Sequence, residues 1–254
     1  MMGRVMISDF RKRLKAGEKL VGTMVTLPTP STAEILADIG FDWLFIDGEH
    51  GPLEIPDIQA ILQTVDDKTA CIVRVPKEDE AAIKRVLDIG AAGVIVPQVN
   101  TVEQAENVVR YSRYAPAGAR GVGLARAHGY GFKFKGYVET ANEQISVIVQ
   151  AEHVDAVKNI EQIVKVPGVD AVLLGPYDLA ASLGKMGQVD DPAVLEAIDH
   201  ITKTCQNVGM PLGYFGVSAE AVLPYAEKGY SLLVGGVDVL FLGNGAARMR
   251  KALL

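Results

Sequence analysis

The chain is poor in cysteine. Cys71 and Cys205 are the only two in 254 residues, and neither belongs to a CxxC pair, so a disulfide framework and a thiolate zinc site are both excluded. Long apolar runs are also missing. No uninterrupted stretch reaches the ~18 residues of a membrane span, and the N-terminus from Met1 to Arg13 lacks the apolar centre of a signal peptide, so a cytoplasmic location without a membrane partner is expected. No basic run offsets the net charge of −6, which argues against nucleic acid. No GxGxxG follows the first predicted strand and no GxxxxGK[ST] occurs, so the two commonest nucleotide-binding signatures are absent.

What remains is 49% hydrophobic and 22% charged, the profile of a globular chain with a large core. Strand and helix alternate. Strands are expected at Leu20–Val25, Trp43–Asp47, 70–76, 93–97, 146–152, 171–174, 211–216 and 231–234. Between them lie helices with capping signals at Ser31 and Thr101, Pro56 in a first turn, and a further cap at Ser218. Eight such units within this length fit a single-domain (β/α)₈ barrel over 1–254 better than an open doubly wound sheet. Residues 115–144 interrupt the rhythm. This glycine-rich stretch has too little apolar periodicity for a full unit and reads as a lid, a binding loop or a mobile segment.

In a barrel, chemistry gathers at the carboxyl ends of the strands. Asp47, Glu49 and His50 follow strand two, Arg74 ends strand three, Gln98 follows strand four, Gln150 and Glu152 end strand five, and Asp178 follows strand six. Alternation puts Ile148, Gln150 and Glu152 on one face. Glu152 and Asp178 thus make an oxygen-ligand pair for a divalent cation, although strand periodicity alone leaves open that they are ordinary loop acids. Arg74 is costly to bury unless it meets an anion, either a structural acid or a substrate oxygen. Asp47 is positioned to orient His50 as a base. His153 and His200 read as surface residues and His128 as a lid contact.

These residues sit in FDWLFIDGEHGP (41–52), VRVP (73–76), GAAGVIVP (90–97), RGVG (120–123), VQAE (149–152) and LGPYDLA (174–180). Their joint order, across nearly the whole chain, resembles the HpcH/HpaI family of class II pyruvate aldolases. The resemblance implies a barrel that holds Mg²⁺, Mn²⁺ or Co²⁺ with Glu152 and Asp178, Gln150 lying beside it. It further implies that Arg74 contacts the keto oxygen of pyruvate, that backbone from Gly175 through Pro176 and Tyr177 to Asp178 receives its carboxylate, and that His50 with Asp47 moves protons. Asp88 corresponds to an acid contributed by a neighbouring subunit, in a hexamer built as a trimer of dimers that exchange a C-terminal helix.

The expected reaction is reversible cleavage of a 4-hydroxy-2-oxo acid to pyruvate and an aldehyde. None of the strand-end residues is a Schiff-base lysine, consistent with a metal route. His153, where relatives often carry Thr, and the segment 124–132 depart from the family pattern and bear on aldehyde specificity. Alternatives are a citrate-lyase-β-like CoA-thioester lyase, a non-catalytic keto-acid-binding barrel, and a phosphosugar enzyme using Gly213, Gly216, Gly235 and Gly236 as a cradle.

Overall fold

Strand residues that are apolar on both faces need cover on both, and a closed parallel barrel supplies it. The computed structural model describes residues 9–66 and 68–254; the N-terminal residues 1–8 of the segment examined for a leader lie outside them. Eight parallel strands close in sequence order: β1 Leu20–Val25, β2 Trp43–Asp47, β3 Ala70–Arg74, β4 Gly93–Val96, β5 Ser146–Ala151, β6 Ala171–Leu174, β7 Leu212–Gly216 and β8 Leu232–Val237. The helices are α1 Phe10–Lys15, α2 Pro30–Ile39, α3 Ile55–Val65, α4 Glu80–Asp88, α5 Val102–Ser112, α6 Phe134–Gln144, α7 Val154–Ile163, α8 Pro176–Ser182, α9 Pro192–Val208, α10 Ala219–Glu227 and α11 Asp238–Ala252. Among the described residues no helix is long and apolar enough to cross a membrane.

Two apolar layers result. Met24, Trp43, Phe45, Ile72, Ile148 and Leu173 fill the barrel, closed at its base by Phe10 and Leu14 of α1. Alternate strand residues such as Leu44, Val73, Val149 and Val172 pack outward against the helices. Gly213 and Gly216, considered above as a phosphate cradle, instead allow close packing. A Cβ at Gly213 would lie 2.7 Å from Leu173, and one at Gly216 2.8 Å from Val222.

Besides shifts of one or two residues at strand ends, three features differ from expectation. Helix α2 begins at Pro30 with Thr29 at its N-cap and no side-chain cap bond. Proline's fixed φ makes it the better first helical residue, so the Ser31 capping box does not form. Strand β8 continues past the expected end at Val234 through Gly235 and Gly236 to Val237. The interruption at 115–144 contains a 3₁₀ turn over Arg126–Gly131 and the whole of α6. Helix α6 buries only Ala141, so it carries no apolar stripe to read.

This segment does not cover the strand ends of its own chain. Arg126 donates to the carbonyls of Leu62 and Ile89, at the ends of α3 and α4 that feed into β3 and β4, which is the opposite face of the barrel. His128 is buried, its ring nitrogens meeting the backbone of Gly123, Ala125 and Gly131. It organises the segment internally and is not a lid contact.

Candidate active site

Strand parity builds the site. Phe45, Ile72 and Ile148 point into the barrel, so the residues two further along, Asp47, Arg74 and Gln150, point inward at its carboxyl end, with Glu152 continuing the series. Asp47 and Arg74 are direct partners in the β2–β3 register. Arg74 Nε and Nη2 donate to the two oxygens of Asp47 at 2.9 and 2.8 Å, its Nη1 lies 3.0 Å from Glu49 Oε2, and its guanidinium sits over the Phe45 ring. Burial opposes ionisation of Asp47, but the hydrogen bonds and charge of Arg74 outweigh it and hold the carboxyl below its usual range. Burial likewise opposes the Arg74 charge, which Asp47, Glu49 and Glu152 more than restore.

The expected pairing of Asp47 with the His50 ring does not form. Asp47 Oδ1 instead accepts from the backbone N–H groups of Glu49 and His50, because both its oxygens are already turned toward Arg74. The His50 ring is 67% exposed, with Nε2 3.9 Å from Glu49 Oε2. The acid beside the imidazole is therefore Glu49, a residue present in the strand-end set but assigned no role from sequence. Burial, reinforced by the charges of Asp47 and Asp178, raises the Glu49 pKa against the pull of Arg74 and His50.

Glu152 is 2% exposed. Its Oε1 accepts from the Gln98 backbone N–H at 2.9 Å, and its Oε2 accepts a short bond from Gln150 Nε2. Gly175 permits this packing, since a Cβ there would lie 2.6 Å from Glu152 Oε2 and 2.9 Å from Gln150 Nε2. Asp178 stands in the first turn of α8. Burial, with repulsion from Asp178 and Glu49, pushes Glu152 up to about 7, the Gln98 N–H and Arg74 acting in the other direction.

The donor set can be tested against a divalent cation. Among the described residues no group of three or more His, Cys, Asp or Glu side chains is arranged to hold a metal. Two carboxylates suffice for a hard cation that keeps solvent or substrate oxygens in the rest of its shell. Gln150 Oε1 is buried with no hydrogen-bond partner among the described residues. An orphan oxygen beside two mutually repelling carboxyls fits a cation.

A cavity of about 320 Å³ opens at the barrel mouth, walled by Met24, Phe45, Leu173 and Phe215 and lined by Asp47, His50, Arg74, Gln150, Tyr177 and Asp178, with Glu152 hydrogen-bonded to Gln150 outside the lining. Asp88 is not among them. It ends α4 on the opposite face and pairs with Arg120 of its own chain at 2.6 Å. His153 caps α7 by accepting from Asp155 N, and His200 is exposed.

A closed βα barrel that converges a buried arginine, a carboxamide, a histidine and Asp178 on one small cavity, with a second acid hydrogen-bonded to the carboxamide, has the makings of an enzyme for carbonyl chemistry. Comparison with known proteins specifies which. The family model HpcH/HpaI aldolase/citrate lyase matches residues 21–244, and the chain belongs to that family. It is 40% identical to a 4-hydroxy-2-oxovalerate aldolase of Novosphingobium aromaticivorans, covering 94% of this chain and 92% of the relative. It is 38% identical to a 4-hydroxy-2-oxo-heptane-1,7-dioate aldolase of Klebsiella pneumoniae, covering 95% and 92%. The crystal structure of an HpcH/HpaI aldolase/citrate lyase family protein from Burkholderia cenocepacia superposes with a TM-score of 0.93 at 34% identity, over 97% of this chain and 99% of that one.

Proposed function

We propose that this chain is a divalent-metal-dependent aldolase that reversibly cleaves a 4-hydroxy-2-oxo acid to pyruvate and an aldehyde. The observation that carries this reading is the convergence of Arg74, Gln150 and Asp178 on one cavity, with Glu152 hydrogen-bonded to Gln150 beside it, in a chain whose relatives carry aldolase names.

Glu152 and Asp178 would hold Mg²⁺, Mn²⁺ or Co²⁺, with Gln150 beside it. When bound, such a cation supplies Lewis-acid polarisation of the keto group. Arg74, held flat by Asp47 and Glu49, donates to the keto oxygen and stabilises the enolate charge that develops there. The substrate carboxylate is received at the start of α8 around Gly175–Asp178. Pro176 has no N–H to give, so the Tyr177 and Asp178 amides carry that contact.

In cleavage His50 takes the proton of the 4-hydroxyl. The C3–C4 bond then breaks, its electron pair passes into the enolate and the aldehyde departs. His50 returns the proton to C3, completing pyruvate. Glu49 Oε2 lies 3.9 Å from the ring Nε2.

The same reading takes 1–254 as one cytoplasmic aldolase domain, without nucleic-acid or membrane partners. It assembles as a hexamer, a trimer of dimers exchanging α11, and Asp88 serves a neighbour's site. Support comes from α11 itself, which exposes Val239, Phe241, Leu242 and Met249. Light scattering checks the assembly.

The functional test is pyruvate release from a racemic 4-hydroxy-2-oxo acid, coupled to lactate dehydrogenase, after EDTA treatment and after adding back Mg²⁺, Mn²⁺ or Co²⁺. Loss with chelator and recovery with metal is the expected result. Release that ignores EDTA overturns the metal roles, and no release under any condition overturns the aldolase reading.

A further inference from the structure

Gln98 follows β4 with φ +53°, a left-handed conformation that residues other than Gly, Asn and Asp seldom adopt. Its side chain does not explain the strain. The residue is exposed, and the contact its Oε1 receives from Asn100 Nδ2 is long, at 3.4 Å. The backbone ties this turn to the site, because the Gln98 N–H donates to Glu152 Oε1, 2.9 Å away, while the left-handed φ carries the chain onward to its anchors at Val99 and Asn100.

The neighbouring residues hold the strained turn on every side. Val99 is buried, Asn100 N and Thr101 N donate to Gln104 Oε1 at the head of α5, and Asn159 Nδ2 of α7 donates to Asn100 O. A conformation so over-determined, ending on one functional carboxylate, is the pattern of strain stored for a site.

We propose that Gln98 is a positioning residue, whose left-handed backbone fixes the Glu152 carboxylate in the orientation that receives the divalent cation. With Gln150 Nε2 on Oε2 and Gln98 N–H on Oε1, each oxygen keeps one donor and the carboxylate plane cannot swing. The inference rests on Glu152 holding the cation. It assigns the residue's importance to backbone conformation and none to side-chain chemistry, so substitutions rank by their tolerance of positive φ and not by resemblance to glutamine.

The test is Mn²⁺ binding to chelator-treated protein, followed by electron paramagnetic resonance, for wild type, Gln98→Gly, Gln98→Asn, Gln98→Ala, Gln98→Val and Glu152→Gln. Gly and Asn accept the conformation and retain wild-type affinity. Ala weakens binding, and Val, branched at Cβ, weakens it by about 10–100-fold, the usual cost of losing a group that orients a metal ligand. A Gln98→Val protein that binds Mn²⁺ like wild type, whether or not its melting temperature falls, overturns the positioning role. If Gln98→Val does not fold, Gln98→Ala carries the test, and affinity equal to that of Asn and Gly overturns it. Glu152→Gln separates the two ideas. Undiminished Mn²⁺ binding in that variant overturns the metal assignment itself, whereas lost binding there with an unaffected Gln98→Val overturns the positioning alone.

Discussion

Arg74 and Asp47 meet through two parallel hydrogen bonds of 2.9 and 2.8 Å on adjacent strands whose register makes them direct neighbours. A planar fork matched to a carboxylate cannot be reproduced by a lysine ammonium. Arg74→Lys should therefore keep the fold but lower kcat for pyruvate release by about 10²–10³-fold, the range for removing a donor to a developing oxyanion. Steady-state kinetics on the folded variant checks this, and a kcat within a few-fold of wild type contradicts the role of Arg74.

The acid Glu152 is held near pH 7 by burial first and by its acidic neighbours next. Because its folded pKa lies above the usual carboxyl value, its contribution to stability is fully present below about pH 4.5 and is lost as pH rises through about 7. Chelator-treated wild type should lose on the order of 2–3 kcal/mol between pH 5 and 8 relative to Glu152→Gln, readable in thermal melts. In the same window Mn²⁺ must displace a proton, so affinity should fall about tenfold per pH unit below 7. Melting curves of the two proteins that run parallel across this window contradict the assignment.

Glu152→Gln itself should fold normally and lose metal-dependent turnover. Circular dichroism and the coupled pyruvate assay read the two halves separately. Near-normal turnover removes Glu152 from the mechanism.

Gly175→Ala places a methyl within 2.6 Å of Glu152 Oε2 and 2.9 Å of Gln150 Nε2. Either the carboxylate or the loop must move, at a cost of about 1–3 kcal/mol, and Mn²⁺ affinity falls with it. Calorimetric titration of the chelated protein gives the answer, with unchanged affinity as the contrary outcome.

At the opposite end of the barrel Asp170 gathers Arg11 Nη2 at 2.8 Å, Arg113 Nη2 at 3.2 Å and the Val147 N–H at 2.9 Å. Burial, with repulsion from Arg11, lowers the Arg113 pKa to about 10 despite Asp170, so the acid is what makes the buried arginine tolerable. Asp170→Ala should cost about 3–5 kcal/mol and lower the melting temperature by roughly 10 °C, with little change in kcat below the transition. A variant that melts like wild type contradicts this structural role of Asp170.

Much of this was legible in one dimension because strand periodicity and chain order are local properties. Asp47, Arg74, Gln150 and Glu152 announced themselves as polar residues ending apolar strands, and parity along the strand sets their inward face. Helix α6 was illegible for the converse reason, as it buries a single alanine.

Pairing across strands is not local. Asp47 has His50 three residues away in sequence, yet the β2–β3 register sets it against Arg74, 27 residues on, and leaves Glu49 beside the imidazole. The backbone N–H of Gln98 and the clearance at Gly175 belong to Glu152 only once the barrel closes. The amino-acid sequence by itself determined the barrel and the residues gathered at its mouth, because side-chain alternation and turn chemistry are written residue by residue. Which acid meets which base was decided only by tertiary structure, because that depends on the stagger between strands brought together by the whole core.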